Sequence, residues 1–125
     1  MTATTAAAVL AGKRILVAED EYFIAKGLAR DLRQAGAVVI GPVPTLDEAL
    51  ALVAAEPLDG AVLDVSLRDG MAFPVADALA KKGVCFVFAT GYASSTLPSR
   101  YAATAHCEKP VEVGAVAAKL FGKPV

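Results

Sequence analysis

Short unbroken apolar runs alternate with amphipathic stretches along almost all of this chain. That repeated change of period, from buried strand to one-sided helix and back, constrains the fold more than any other feature. The spacing predicts five strand-helix units. The first strand covers residues 14–18, and residues 22–35 follow as a helix with Phe23, Ile24, Leu28 and Leu32 along one stripe, ended by Gly36. Residues 37–40 make a second strand, which Gly41-Pro42-Val43-Pro44 stops. Thr45 then caps a helix, Glu48 completes a capping box, and Leu46, Leu50 and Val53 form the buried stripe. The run Gly60-Ala61-Val62-Leu63 forms the third strand and closes on Asp64; Asp69-Gly70 marks a loop, and a helix runs over residues 73–82. Residues 84–90 are apolar along their whole length and predict a strand buried on both faces. Pro98 and several Ser/Thr residues make 94–104 a poor helix, before a brief strand at 105–108 and a last helix over 111–121. The fold class is α/β, an open parallel sheet covered by helices on both faces.

A length of 125 residues bounds the chain to one domain, placed at 13–125 behind a flexible tail of residues 1–12, of which residues 1–11 could instead form a short extra turn of helix. Hydrophobic residues at 56% and charged residues at 20% exclude intrinsic disorder. A formal net charge of -1, with no cluster of Lys or Arg, excludes direct nucleic-acid binding as an expectation. No apolar run approaches the roughly 20 residues of a membrane span, and the amino terminus lacks the basic segment of a signal peptide, so the expected location is cytoplasmic. Cys85 and Cys107 fall inside strands without metal-ligand spacing and read as buried, reduced thiols.

Chemistry collects at the strand ends. One strand ends in Glu19-Asp20-Glu21, another in Asp64, a third in Thr90 and the last in Glu108-Lys109-Pro110. In an open parallel sheet the carboxyl ends share one edge, and ligands bind in the crevice beyond it. Glu19, Asp20 and Asp64 brought together repel by several kcal/mol per close pair, so a positive partner is required. Lys109 supplies one charge. A hard divalent cation supplies two, and an oxygen-only ligand set favours Mg²⁺ or Mn²⁺ over zinc or copper. A carboxylate beside a cation, a lysine and a hydroxyl is a competent nucleophile toward phosphorus, and Asp64 would carry the acyl phosphate. In this arrangement Asp20 and Asp64 ligate the metal, Glu19 orients a water on it, and the main-chain carbonyl of Ser66 adds an oxygen. Thr90 donates its hydroxyl to one phosphoryl oxygen, Lys109 neutralises another, and Gly91 lets the backbone N–H approach. The Lys109–Pro110 bond is a candidate for the cis form.

Other phosphate chemistries lack their parts. A dinucleotide-binding chain needs a glycine-rich turn after its first strand, where this one has three acids. The segment 90–96 superficially suits a flavin phosphate loop but follows the wrong strand, and there is no tryptophan to stack on the flavin. A haloacid-dehalogenase-type phosphatase needs a second aspartate where Ser66 stands.

The acidic pair in Ile-Leu-Val-Ala-Glu19-Asp20-Glu, the acceptor in Ala-Val-Leu-Asp64, the hydroxyl in Phe-Ala-Thr90 and the Lys109-Pro110 pair together resemble the receiver domains of two-component response regulators, in that family's order over about residues 13–120. The resemblance implies a CheY-like, flavodoxin-like (βα)5 fold with sheet order 2-1-3-4-5 and five flanking helices. It also implies phosphorylation of Asp64 by a histidine kinase or from a histidine phosphotransfer protein. Phe88-Ala89-Thr90-Gly91-Tyr92, with Pro74 and Val75, looks like the FATGUY subfamily, often linked to HWE-type sensor kinases. His106 stands where most receivers carry a switch Tyr or Phe, and Gly70 follows Asp64 sooner than usual, without the usual proline. The segment 94–104 is then the candidate switch. With no output domain after Val125, the message is expected to pass by contact with a downstream protein. The alternatives are a phosphate sink or a phosphorylation-independent binding module. Arg68, Asp69 and Asp59 read as turn and loop charges.

Overall fold

Neighbouring residues of a strand point to opposite faces of the sheet. In β1 (Arg14–Ala18), Ile15 and Val17 enter one core while Leu16 and Ala18 enter another. Both faces are therefore covered, which is why the strands are continuous apolar runs and not alternating ones. The computed structural model describes residues 8–90, 101 and 104–122. After β1 come α1 (Tyr22–Gln34), β2 (Val38–Val43), α2 (Leu46–Ala55), β3 (Gly60–Asp64), β4 (Ser66–Leu67), β5 (Gly70–Met71), α3 (Phe73–Lys81), β6 (Cys85–Thr90), β7 (His106–Glu108) and α4 (Val113–Phe121). Five strands form one parallel sheet in the order β2-β1-β3-β6-β7, which is the expected 2-1-3-4-5 order. The numbering differs only because β4 and β5 make a separate two-residue antiparallel hairpin.

Leu28 and Leu32 of α1 and Val116 and Leu120 of α4 close the face lined by Ile15, Val17, Val62 and Val87. Val53 of α2 and Val75 and Leu79 of α3 close the opposite face on Leu16, Leu63 and Phe88. Helix on both faces of one sheet leaves its carboxyl end accessible among the described residues, and that end carries the acids. Phe88 also meets Phe73, Phe86 and Tyr101 edge-on, at ring centroids 5.4–5.8 Å apart. The Tyr101 hydroxyl donates to Asp77 on α3.

Several expectations need correction. The buried stripe of α1 is Ala25, Leu28, Ala29 and Leu32; Phe23 is 78% exposed, because the first turn of α1 overhangs the end of the sheet. β2 does not stop at Ile40 but runs to Val43. Its place at the sheet edge tolerates Pro42, and a bulge in β2 opposite Leu16 to Ala18 absorbs the extra residue. Gly41 makes this possible: its φ is +101° and a Cβ would lie 3.0 Å from the Val17 carbonyl oxygen. Cys107 is buried, but Cys85 is exposed and Phe86 is only half-buried, since β6 begins at the rim opposite the acids, beyond the helices. The last strand and helix start at His106 and Val113, one and two residues later than expected. Most of the 94–104 segment lies outside the described residues. In the amino-terminal stretch, of the two expected forms, residues 8–10 take the helical turn, and Leu10 is fully buried against the α1–α4 face.

No helix of the described residues is long and apolar enough to cross a membrane. The burial of Leu10 predicts that Leu10→Ala costs about 2–5 kcal/mol in chemical denaturation. A loss under about 0.5 kcal/mol, the size of an ordinary surface substitution, would mean that this segment is not part of the core.

Candidate functional site

The carboxyl ends of β1, β3 and β6 are held level by their register. Ala18 pairs with Leu63, Asp64 with Ala89, and Thr90 with Glu108. The residues that follow therefore surround one crevice. The β2 bulge presents the Val43 carbonyl to the Glu19 N–H at 2.9 Å, so Glu19 leaves the sheet tied to the edge strand. Glu19 is 5% exposed, Asp64 7% and Thr90 2%, and they are the buried polar side chains among the described residues.

One carboxylate oxygen from each of Glu19, Asp20 and Asp64 lies within 4.8 Å of the others. The Lys109 ammonium is 3.1 Å from Asp64 Oδ2 and 3.0 Å from Glu19 Oε1. The other Asp64 oxygen accepts the Ser66 N–H at 3.3 Å, and the other Glu19 oxygen accepts the Glu21 N–H at 3.0 Å. Lys109 is aimed by its own backbone, whose N–H donates to the Thr90 carbonyl at 3.1 Å, one step beyond the β6–β7 pairing. The Lys109–Pro110 bond is cis.

Burial is the main reason that the Asp64 carboxyl titrates above its ordinary range, and Glu19 adds to it; the Lys109 ammonium pulls the other way without winning. Lys109 also titrates high: burial alone would lower it, but hydrogen bonds and charge from Glu19 and Asp64 more than offset that. Two or three carboxylates facing one ammonium leave a net negative crevice built of hard oxygen donors. That donor set fits a divalent cation of the Mg²⁺ or Ca²⁺ type.

The structure thus brings together Glu19, Asp20, Asp64 and Lys109, and places Thr90 at the adjoining strand end. Ser66 is at the crevice through its N–H bond to Asp64. Gly91 lies outside the described residues. Glu19 is more than the expected acid, since it is also an ion-pair partner of the lysine. Asp69, read as a turn charge, accepts the N–H groups of Leu46 at 2.5 Å and Asp47 at 3.3 Å. It therefore pins the β4–β5 hairpin beside the crevice to the start of α2, and chiefly the Leu46 bond lowers its pKa. The Thr45 hydroxyl accepts from Glu48 N–H at 3.1 Å, as a cap should. Asp59 likewise accepts the Arg14 N–H, at the opposite end of β1.

The raised Asp64 pKa fixes a sign. A carboxyl whose folded pKa exceeds the unfolded value stabilises the fold below the unfolded pKa, and that contribution is lost as pH rises through the folded pKa. In metal-free buffer Asp64→Asn is therefore expected to melt higher than the parent at pH 7, with the gap closing as pH falls toward 3.8. Thermal melts across that range check it; a variant less stable than the parent at pH 7 would contradict the cause assigned to the shift.

Comparison with known proteins agrees with this geometry. The chain is similar to SdrG from Sphingomonas melonis Fr1, at 39% identity and a TM-score of 0.76 over 87% of this chain and 93% of that one. It is similar to the BeF3-activated conformation of SdrG from Pseudomonas melonis Fr1, at 40% identity and a TM-score of 0.71 over 86% and 92%. It is also similar to a CheY-like response regulator receiver domain protein from Methanospirillum hungatei JF-1, at 28% identity and a TM-score of 0.71 over 82% and 86%. A response regulator from Burkholderia pseudomallei, solved with a phosphorylated aspartic acid and a calcium ion, matches at 27% identity and a TM-score of 0.73 over 86% of this chain and 66% of that one. A scan of protein-family models and a comparison with curated proteins both return no match. An acidic crevice at the carboxyl edge of a β2-β1-β3-β6-β7 sheet, together with these likenesses, places the chain among the CheY-like response regulator receiver domains.

Proposed function

We propose that this receiver accepts a phosphoryl group on Asp64 in a reaction that depends on Mg²⁺ or Mn²⁺. The donor is a phosphohistidine of a sensor histidine kinase, of the HWE type, or of a histidine phosphotransfer protein. The observation that carries the reading is the buried Asp64 carboxylate, 3.1 Å from the Lys109 ammonium and within 4.8 Å of two further acids. An Asp64 oxygen attacks phosphorus, the phosphorus–nitrogen bond breaks, and the imidazole leaves with the electron pair. Lys109 neutralises one phosphoryl oxygen and the Thr90 hydroxyl donates to another, so both act where charge is redistributed. Asp20, Asp64 and the Ser66 carbonyl would hold the cation, with Glu19 behind them. When bound, the cation supplies charge opposite the phosphoryl oxygens.

The 39% identity to SdrG and the Phe88-Ala89-Thr90-Gly91-Tyr92 run support membership of the FATGUY group. His106 at the usual aromatic switch position supports an output that runs through the segment 94–104. The signal would pass in the cytoplasm by contact with a downstream protein and not through DNA, in keeping with the net charge of -1.

Incubation with autophosphorylated sensor kinases and Mg²⁺ is expected to label the parent and not Asp64→Asn; label retained in that variant would move the acceptor elsewhere. Millimolar Mg²⁺ is expected to raise the melting temperature of the parent by mass action, with the shift lost in Asp20→Asn. An unmoved parent melting curve would remove the cation from the account.

A further inference from the structure

A groove of about 280 Å³ runs along α1, beside the acidic crevice. Its α1 wall is a single helical face, Tyr22, Ala25, Lys26, Ala29 and Arg33, at spacings of three, four, seven and eleven residues. Ala25 and Ala29 give it a shallow apolar floor where a larger side chain would fill the space. The opposite wall is Pro42, Val43 and Pro44, carried away from α1 by the β2 bulge. The groove thus exists because an edge strand bends and a helix presents alanine at the same level.

Its charge is what selects an occupant. Among the described arginines, Arg14 and Arg30 are ion-paired with Glu56 and Asp31. The other two, Arg33 and Arg68, make no ion pair among the described residues, although Arg68 acts on the carboxylate of its neighbour Asp69, and both line this groove. Lys26 joins them, 5.7 Å over the Tyr22 ring. Of the two acids at the inner end, Glu19 is already committed to Lys109, and Asp20 is outnumbered by the three cations. Three cations from two separate elements therefore rim an apolar floor. The volume lies just under the range of about 300–1,000 Å³ typical of sites for drug-sized ligands, which sets the occupant at fragment size.

We propose that this groove binds a small amphipathic anion, an apolar ring system bearing one carboxylate, with the ring on Ala25 and Ala29 and the anionic group among Arg33, Lys26 and Arg68. The groove adjoins the acidic crevice through Glu19 and Asp20 but is not lined by Asp64, so it does not depend on how Asp64 is used. The probe is 2-naphthoate, titrated into the ¹⁵N-labelled full chain in Mg²⁺-free buffer and followed by amide chemical shifts. Saturable shifts are expected in α1 and around Val43. Arg33→Glu and, on a different element, Arg68→Glu should each weaken binding by about tenfold or more, the loss of one charge-assisted hydrogen bond. Arg30→Glu makes the same change of net charge on the same helix but outside the groove, and should change the affinity by less than about twofold. The neutral 2-naphthamide should bind more weakly than the carboxylate. Unsaturable shifts, shifts centred elsewhere, equal losses in Arg30→Glu and the groove variants, or equal affinity for the amide would each overturn the proposal. The Arg68 variant keeps the test decisive if Arg33→Glu fails to fold.

Discussion

The Lys109 ammonium sits between Glu19 and Asp64 at 3.0 and 3.1 Å, and the rest of the site depends on that contact. Three carboxylates within 4.8 Å repel one another, and burial of Glu19 and Asp64 sharpens the repulsion by removing water. A single lysine, itself brought under cover, is enough to let the cluster form. It is not enough to restore Asp64 to an ordinary carboxyl, whose pKa stays raised. The crevice is thus left short of positive charge, a condition that favours a cation, whose charge a transferring phosphoryl group would in turn need.

The fold exists to hold these charges in place. Five parallel strands, apolar on both faces, fix the height at which Glu19, Asp64, Thr90 and Lys109 emerge. Local devices then set each one. The β2 bulge binds the Glu19 N–H, and the Thr90 carbonyl binds the Lys109 N–H. The Ser66 N–H orients one Asp64 oxygen, while Asp69 anchors the hairpin that carries Ser66 to α2. Moving any strand by one residue would turn its terminal side chain to the other face.

Much of this was readable in the chain. Gly60 to Asp64 announces itself as a buried strand ending in an acid, and the acids, Thr90 and Lys109 follow from the rule that parallel strands end on a common edge. What escaped was non-local or very short. A hairpin of two-residue strands carries no period, so Asp69-Gly70 marked a turn without revealing its bonds to Leu46 and Asp47, more than twenty residues earlier. Pro42 looked like a stop, and only the edge position of β2 makes it tolerable. Phe23 fits the helical period but overhangs the sheet, which periodicity cannot foresee. That Arg33 and Arg68 share one groove appears only when α1 and the hairpin are seen facing each other.

The balance of charge at Asp64 can be read directly. Carboxyl ¹³C NMR titration of metal-free protein, parent and Lys109→Met, follows that one group through its ionisation. The account requires Asp64 to titrate above 3.8 in the parent and higher still once the ammonium is gone. A parent value at or below 3.8, or a value indifferent to Lys109, would contradict it.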